Sequence, residues 1–313
     1  MTSVPSKPAG SLEQSLSADF GVSAKSLQLA LLYRGDLADS TEVFLATDSR
    51  EVRLGVVLWS PAAAPKAVAQ SMAKATAAAA ALDSSPASHV LLPLAQGCIE
   101  GRSYAILPYC KPLSSFRPLW WLQRRTARRF VRRWLQEVCR ATASPVASAD
   151  AEASFEQPLA RLAACEALGP RVREAAHSAH RRLLSGAWQA RHVLMHADLW
   201  RGNVLVRAPS GSPGQGWGER LCLIDWGASE VRGYALFDLV RATDAFRIDP
   251  VTGGRELARH CELLQCEPVD APSHLAAALA HVFCHLGQFP LHRFAHMADD
   301  CCSTLDRLSA ASR

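Results

Sequence analysis

The chain has 313 residues, with a hydrophobic share of 49% and a charged share of 20%, which allows one two-lobed domain or two small ones around a sizeable core. Its net charge of +5 is mild: it suits an anionic nucleotide, and no nucleic-acid partner is expected from it. No apolar run reaches the length of a bilayer span, and the opening M-T-S-V-P-S-K-P-A-G-S lacks the apolar core of a secretory signal, so the cytoplasm is the expected compartment.

In chain order, residues 1–20 are rich in Ser, Pro and Gly and are expected to form a disordered tail. Ser26 to Arg34 reads as a first strand. Glu42 to Thr47 and Val52 to Trp59 read as a hairpin turning at Asp48-Ser49-Arg50, closed by Pro61 and Pro65. Ala67 to Leu82 is more than half alanine and favours helix. His89 to Leu94 and Ser103 to Pro108 read as two further strands, and Tyr109 to Pro112 as a hinge. Beyond it, Ala127, Phe130, Val131, Trp134, Leu135, Val138 and Cys139 repeat at helical spacing. Further helices are predicted near Phe155 to Leu168, from Pro170 to Leu184, and from Asp238 to the end with breaks at Pro268, Pro272 and Pro290. The ten cysteines are scattered without a C-x-x-C and read as reduced thiols.

The chemistry concentrates in His196 to Trp226. Val204 to Val206 and Leu221 to Ile224 are short, apolar and partly β-branched, and Ala208 to Glu219 between them is rich in Gly and Pro. If the two runs pair as a hairpin, Asp198, Asn203 and Asp225 meet at one end of it. Phosphoryl transfer needs that set. One carboxylate orients the attacking hydroxyl, while a second carboxylate and an amide oxygen hold Mg2+ on the nucleotide phosphates. The spacing H-x-D-x-x-x-x-N followed by D-x-G is the pattern of kinase-like phosphotransferases.

With H-A-D-L-W-R-G-N and I-D-W-G the sequence resembles the aminoglycoside phosphotransferase and choline kinase family, and the Leu-Trp after Asp198 is also similar to fructosamine kinases. The resemblance implies an α+β, bilobal, protein-kinase-like fold: a β-rich small lobe over 21–110 that covers ATP, and a mainly helical lobe over 111–313 that carries the catalytic loop and the acceptor site. It implies Asp198 as catalytic base, Asn203 and Asp225 as Mg2+ ligands, and His196 as a brace inside the loop. It also implies backbone groups from Leu107 to Cys110 facing the adenine. In Y-A-L-F-D-L-V-R-A, Asp238 is expected to anchor the loop from a following helix.

The small lobe departs from the pattern. Aligned on V-A-I-K, the third strand ends Val56-Val57-Leu58-Trp59, so Trp59 stands where a phosphate-binding lysine is expected. The helix that would carry its glutamate has none, but carries Lys74, which is the candidate replacement, with Arg53 or Lys66 as alternatives. Gly35 to Ser40, with Asp36 and Asp39, occupies the place of a glycine-rich phosphate loop. These departures keep open a second reading, a non-catalytic pseudokinase that binds a ligand or a protein.

Other residues are ambiguous. Arg201 either steadies the transferring phosphate or faces solvent, and Trp200 is read as packing the loop. The arginine face Arg124 to Arg133 is a solvated surface or a contact for an anionic surface. His281 with His285, and His292 with His296, are spaced i, i+4 near Cys284, Cys301 and Cys302, but match no zinc pattern and are read as core residues.

Overall fold

The structure is a computed structural model that describes residues 9–35, 40–209 and 216–311. The first element is a helix, α1 (Ala9–Phe20), where the sequence suggests a tail. Leu12, Leu16 and Phe20 recur every four residues and pack on a β-sheet. Leu16 is fully buried, which stabilises the contact by about 2 kcal/mol. The Tyr104 hydroxyl donates to Asp19 and pins the end of the helix.

The sheet is antiparallel, in the order β1 (Gln28–Arg34), β2 (Glu42–Thr47), β3 (Arg53–Trp59), β5 (Arg102–Leu107), β4 (Ala95–Ile99). Helix α2 (Ala67–Ala80) lies between β3 and β4 in the chain, followed by the single turn α3 (Ser84–Ala87). The strand expected over His89 to Leu94 is not there. Pro93 interrupts that run, which instead makes one bridge from Val90 to Leu223, and the strand forms after it as β4. Asp36 to Asp39 lie outside the described residues.

Short β6 (Cys110–Pro112) leaves the first sheet and joins a second one, in the order β10 (Leu221–Leu223), β9 (Val204–Arg207), β6. A third sheet stacks β7 (Ser144–Pro145), β8 (Arg191–Met195) and β11 (Glu230–Tyr234). Long α4 (Arg117–Thr142) runs through the core on its Ala127, Phe130, Trp134 and Val138 side. The remaining chain is helical: α5 (Ser148–Ala151), a π turn, α6 (Gln157–Ala164), α7 (Pro170–Leu184), α8 (Phe237–Ala245), α9 (Pro250–Leu264), α10 (Ala271–Cys284) and α11 (Leu291–Ala311). Pro272 opens α10 rather than breaking it, because a first-turn proline loses no hydrogen bond. Ala271 to Ala280 is buried apart from one turn residue, as befits a helix that is apolar nearly all round.

The architecture is therefore α+β and kinase-like, an antiparallel sheet followed by a larger helical part. Among the described residues no helix is long and apolar enough to cross a membrane. All ten cysteines are free thiols.

Candidate active site

The β9–β10 hairpin forms as the two apolar runs predict, with Val204 opposite Leu223 and Val206 opposite Leu221. Its open end continues the ladder by one bond, Ile224 N–H to the Asn203 carbonyl at 3.1 Å, which sets Asn203 and Asp225 at the same edge. Asn203 Nδ2 donates to both the Asp198 carbonyl and Asp198 Oδ2 at 2.8 Å. The amide is thereby oriented, and Oδ1 is its remaining polar atom.

His196 braces this loop from inside. It is fully buried; its Nε2 meets the Ile224 carbonyl at 3.0 Å, and its Nδ1 accepts the Asp198 N–H at 3.3 Å. One ring nitrogen therefore donates and the other accepts, which requires the neutral ring. Burial lowers its pKa to about 4. The Trp226 ring tilts against it, 4.5 Å between centroids.

From α8, the two oxygens of Asp238 accept the N–H groups of His196 at 2.6 Å and of Ala197 at 3.0 Å. Those bonds favour the carboxylate; burial opposes them and carries its pKa up to about 7. Three non-glycine residues around the loop hold left-handed backbone: Ala197 at φ 69°, Asp225 at φ 64° and Leu236 at φ 70°. Such strain persists only where neighbours over-determine the conformation.

Asp225 is pushed above the usual carboxylate range, first by burial and then by the nearby charge of Asp198, against the Gly227 N–H that it accepts. Two carboxylates held together in a partly desolvated place favour a cation between or beside them. Among the described residues no group of three or more His, Cys, Asp or Glu is arranged to hold a metal. The donor set at the hairpin edge is one carboxylate and one amide oxygen. It fits Mg2+, which keeps waters and takes phosphate oxygens rather than a full protein cage.

The other predicted residues fall in different places. Lys74 Nζ pairs with Glu230 at 2.9 Å, both partly exposed. Glu230 lies opposite Met195, the residue before His196, so the pair joins α2 to the root of the catalytic loop. One turn earlier on α2, Ser71 faces Gly227 beside Asp225: a β-carbon built on Gly227 would stand 3.6 Å from the Ser71 hydroxyl and 3.9 Å from Asp225 Oδ1. Arg53 is held at the hinge, where its guanidinium donates to the Tyr109 hydroxyl at 2.6 Å and covers that ring. Lys66 is exposed ahead of α2.

Trp59 is buried with Val57, Tyr104 and Leu16 on the α1 side of the sheet, with Arg102 stacked on it. It does not fill the space between sheet and hairpin. Leu58 points to the opposite side, toward Met72, Leu107 and Cys110, so β3 brings no cation there. Leu107 and Cys110 flank Pro108 and Tyr109, the link from the first sheet to the second, and Cys110 Sγ sits 3.7 Å from Cys222 Sγ under β10.

Arg201 does not turn toward Asp225. Its guanidinium lies over the Trp120 ring of α4, 5.3 Å from the centroid. Trp200 covers the backbone of Gly202 yet stays 46% exposed. His281 stacks between Tyr234 and His285, and burial lowers its pKa to about 4. Burial also raises the Cys301 and Cys302 thiols, to about 12 and 11, as suits core groups, whereas His285, His292 and His296 are exposed, not the core residues expected. Sequence reasoning missed Glu230, Ser71 and Trp120. Glu230 carried one usable signal, an acidic residue opening the strand that follows D-W-G.

The family model described as the phosphotransferase enzyme family matches residues 34–276. Among solved structures, a thermostable mutant of aminoglycoside phosphotransferase APH(4)-Ia in its apo form is 15% identical, with 96% of this chain and 100% of that chain covered at a TM-score of 0.51. A putative fructosamine-3-kinase from Haemophilus somnus 129PT is 11% identical, with 94% and 96% covered at a TM-score of 0.50. At such identities the likeness is one of fold. A search of curated proteins finds no match.

Proposed function

The chain belongs to the phosphotransferase enzyme family, and we propose that it transfers the γ-phosphoryl group of ATP, with Mg2+, to a hydroxyl of a small molecule or sugar. The observation that carries this reading is the Asn203 amide clasping Asp198 at the hairpin edge that also holds Asp225. In this reading residues 21–110 cover the nucleotide, and residues 111–313 carry the loop and the acceptor. Asp198 orients or deprotonates the acceptor hydroxyl. Asn203 Oδ1 and Asp225 hold the metal, which when bound neutralises charge on the β- and γ-phosphates. His196 and Asp238 keep the strained loop in register. Leu107 to Cys110 present backbone groups to the adenine.

Lys74 supplies the cation missing from β3. It sits one turn from Ser71, on the helix face nearest Asp225, and Glu230 holds it. Arg201, drawn to Trp120, serves the acceptor side rather than the metal side. The pseudokinase reading draws on the missing lysine at the end of β3; Trp59 lends it no support, because it packs on the α1 side of the sheet.

Thermal-shift titration of ATP, with and without Mg2+, on wild type and Asp225→Asn separates the two. A ligand that binds only the folded chain raises its melting temperature by mass action. The proposal expects a Mg2+-dependent rise in wild type that is lost in the variant. No rise at saturating ATP would reject it in favour of the pseudokinase.

A further inference from the structure

The first two turns of α4 are not built like the rest of that helix. From Ala127 onward one side is buried; before it, Phe116 is 68% exposed, Leu119 44%, Trp121 48% and Leu122 59%. Leu119 and Leu122 share a side, and Trp121 lies about 200° round the helix from Leu119. Apolar groups exposed on opposite sides of a helix mark a projecting tip rather than a face or groove. The tip is held firmly. Gln123 Oε1 accepts the Ser114 N–H and the Ser114 hydroxyl accepts the Phe116 N–H, which closes the turn ahead of the helix.

Along this stretch of the chain the charge has one sign. No acidic residue occurs between Glu100 and Glu137, while Arg117, Arg124 and Arg125 interleave with the apolar groups. Arg125 stacks on Trp121 at 4.3 Å, and none of the salt bridges among the described residues involves these three arginines. The same end of the helix carries the Trp120 ring that receives Arg201, so the tip adjoins the catalytic loop and its exposed Trp200.

We propose that this tip docks on an anionic lipid surface, with Phe116, Leu119, Trp121 and Leu122 entering the headgroup boundary and Arg117, Arg124 and Arg125 meeting lipid phosphates. Geometry and charge together select this occupant. A folded protein partner covers one face and needs about 800 Å² per side, whereas this tip is two turns of helix, about 11 Å long, with apolar groups exposed on opposite sides. A bilayer boundary closes around such a projection, and interleaved tryptophan and arginine suit its half-wet, negatively charged layer. The inference does not depend on phosphoryl transfer, because docking is read without nucleotide.

Vesicle flotation of the full chain tests it, with vesicles of phosphatidylcholine alone or mixed with phosphatidylglycerol. Wild type is expected on the anionic vesicles at low salt, not on the neutral ones, and to release at high salt. The variants Phe116→Ser/Trp121→Ser/Leu122→Ser and Arg117→Gln/Arg125→Gln are each expected to bind at least about tenfold less, with unchanged melting temperature because the replaced groups face solvent. Wild type that stays off anionic vesicles, or variants that bind as well as wild type, would overturn the proposal. So would sedimentation velocity showing a dimer that the triple variant abolishes, which would assign the tip to a second copy of this chain.

Discussion

The catalytic loop and the sheet that faces it are built on opposite plans. In the loop every anchor is a short, doubly used contact: His196 and Ala197 both donate to Asp238, and Asn203 donates twice to Asp198. In the sheet half β3 ends on Trp59, and the cation proposed to meet a phosphate is Lys74. It sits on α2 and reaches across to Glu230 on β11. On the proposed function, the difference teaches that a site can keep its reacting edge locally rigid while moving a supporting charge to another element.

The largest effect should fall on the loop. Asp198→Asn is expected to lower kcat by about 10² to 10⁴ on an identified acceptor, with the melting temperature little changed. Full activity in that variant would remove Asp198 from the chemistry. Asp238→Ala leaves the buried His196 N–H without an acceptor, at about 1–3 kcal/mol, and the half-buried Ala197 N–H at less, and denaturant unfolding should show a loss in that range. A loss well under 1 kcal/mol would mean that the loop does not need its anchor.

Acid sharpens the same contrast, because His196 is buried in the loop and neutral in the fold. Its pKa is lowered to about 4, so below the ordinary histidine value of about 6.5 the unfolded chain takes up a proton that the folded chain refuses. Its contribution is full above that value and falls as pH drops toward 4, by about 3 kcal/mol in all. Asp238, raised to about 7, works in the other sense: it favours the fold at low pH and loses that contribution as pH rises through 7. Comparing wild type with His196→Gln isolates the histidine, and the variant should show a shallower loss of stability between pH 6.5 and 4. Equal slopes would place the ring in water.

The smallest effect belongs to the sheet half. Lys74 and Glu230 are both more than a third exposed, so either alanine variant should cost less than about 1 kcal/mol of stability. Lys74→Ala is nevertheless expected to weaken ATP binding by about tenfold, the effect of one charge-assisted contact, as read by calorimetric titration. If it leaves the ATP affinity unchanged, the two halves share no charge and the pair is only a strut.

Much of the loop was legible because its information is local. A histidine, an aspartate, an asparagine five residues on, and two apolar runs around a Gly/Pro turn specify a hairpin whose ends must meet, whatever surrounds them. The Pro170 to Leu184 helix was equally plain, since a proline at its first position and steady periodicity mark its start. The first helix was hidden by composition: Ser, Pro and Gly near the start masked Leu12, Leu16 and Phe20, three groups whose spacing matters only once a sheet lies beneath them. Strand β4 was placed too early because Val90, Leu91 and Leu92 outweigh Ala95 to Ile99 in hydrophobicity, and only pairing with β5 selects the weaker run.

The sequence by itself determined the reacting edge and the family to which it belongs, because hydrogen bonds between residues a few positions apart leave a readable spacing. Tertiary structure alone decided which way Trp59 turns, that Lys74 finds Glu230 156 residues away, and that Arg201 lies on Trp120. Those outcomes depend on how the sheet, α2 and α4 pack against one another. Packing over such separations leaves no periodic mark on the chain, since nothing near Lys74 in sequence distinguishes a lysine that crosses to a strand from one that faces water.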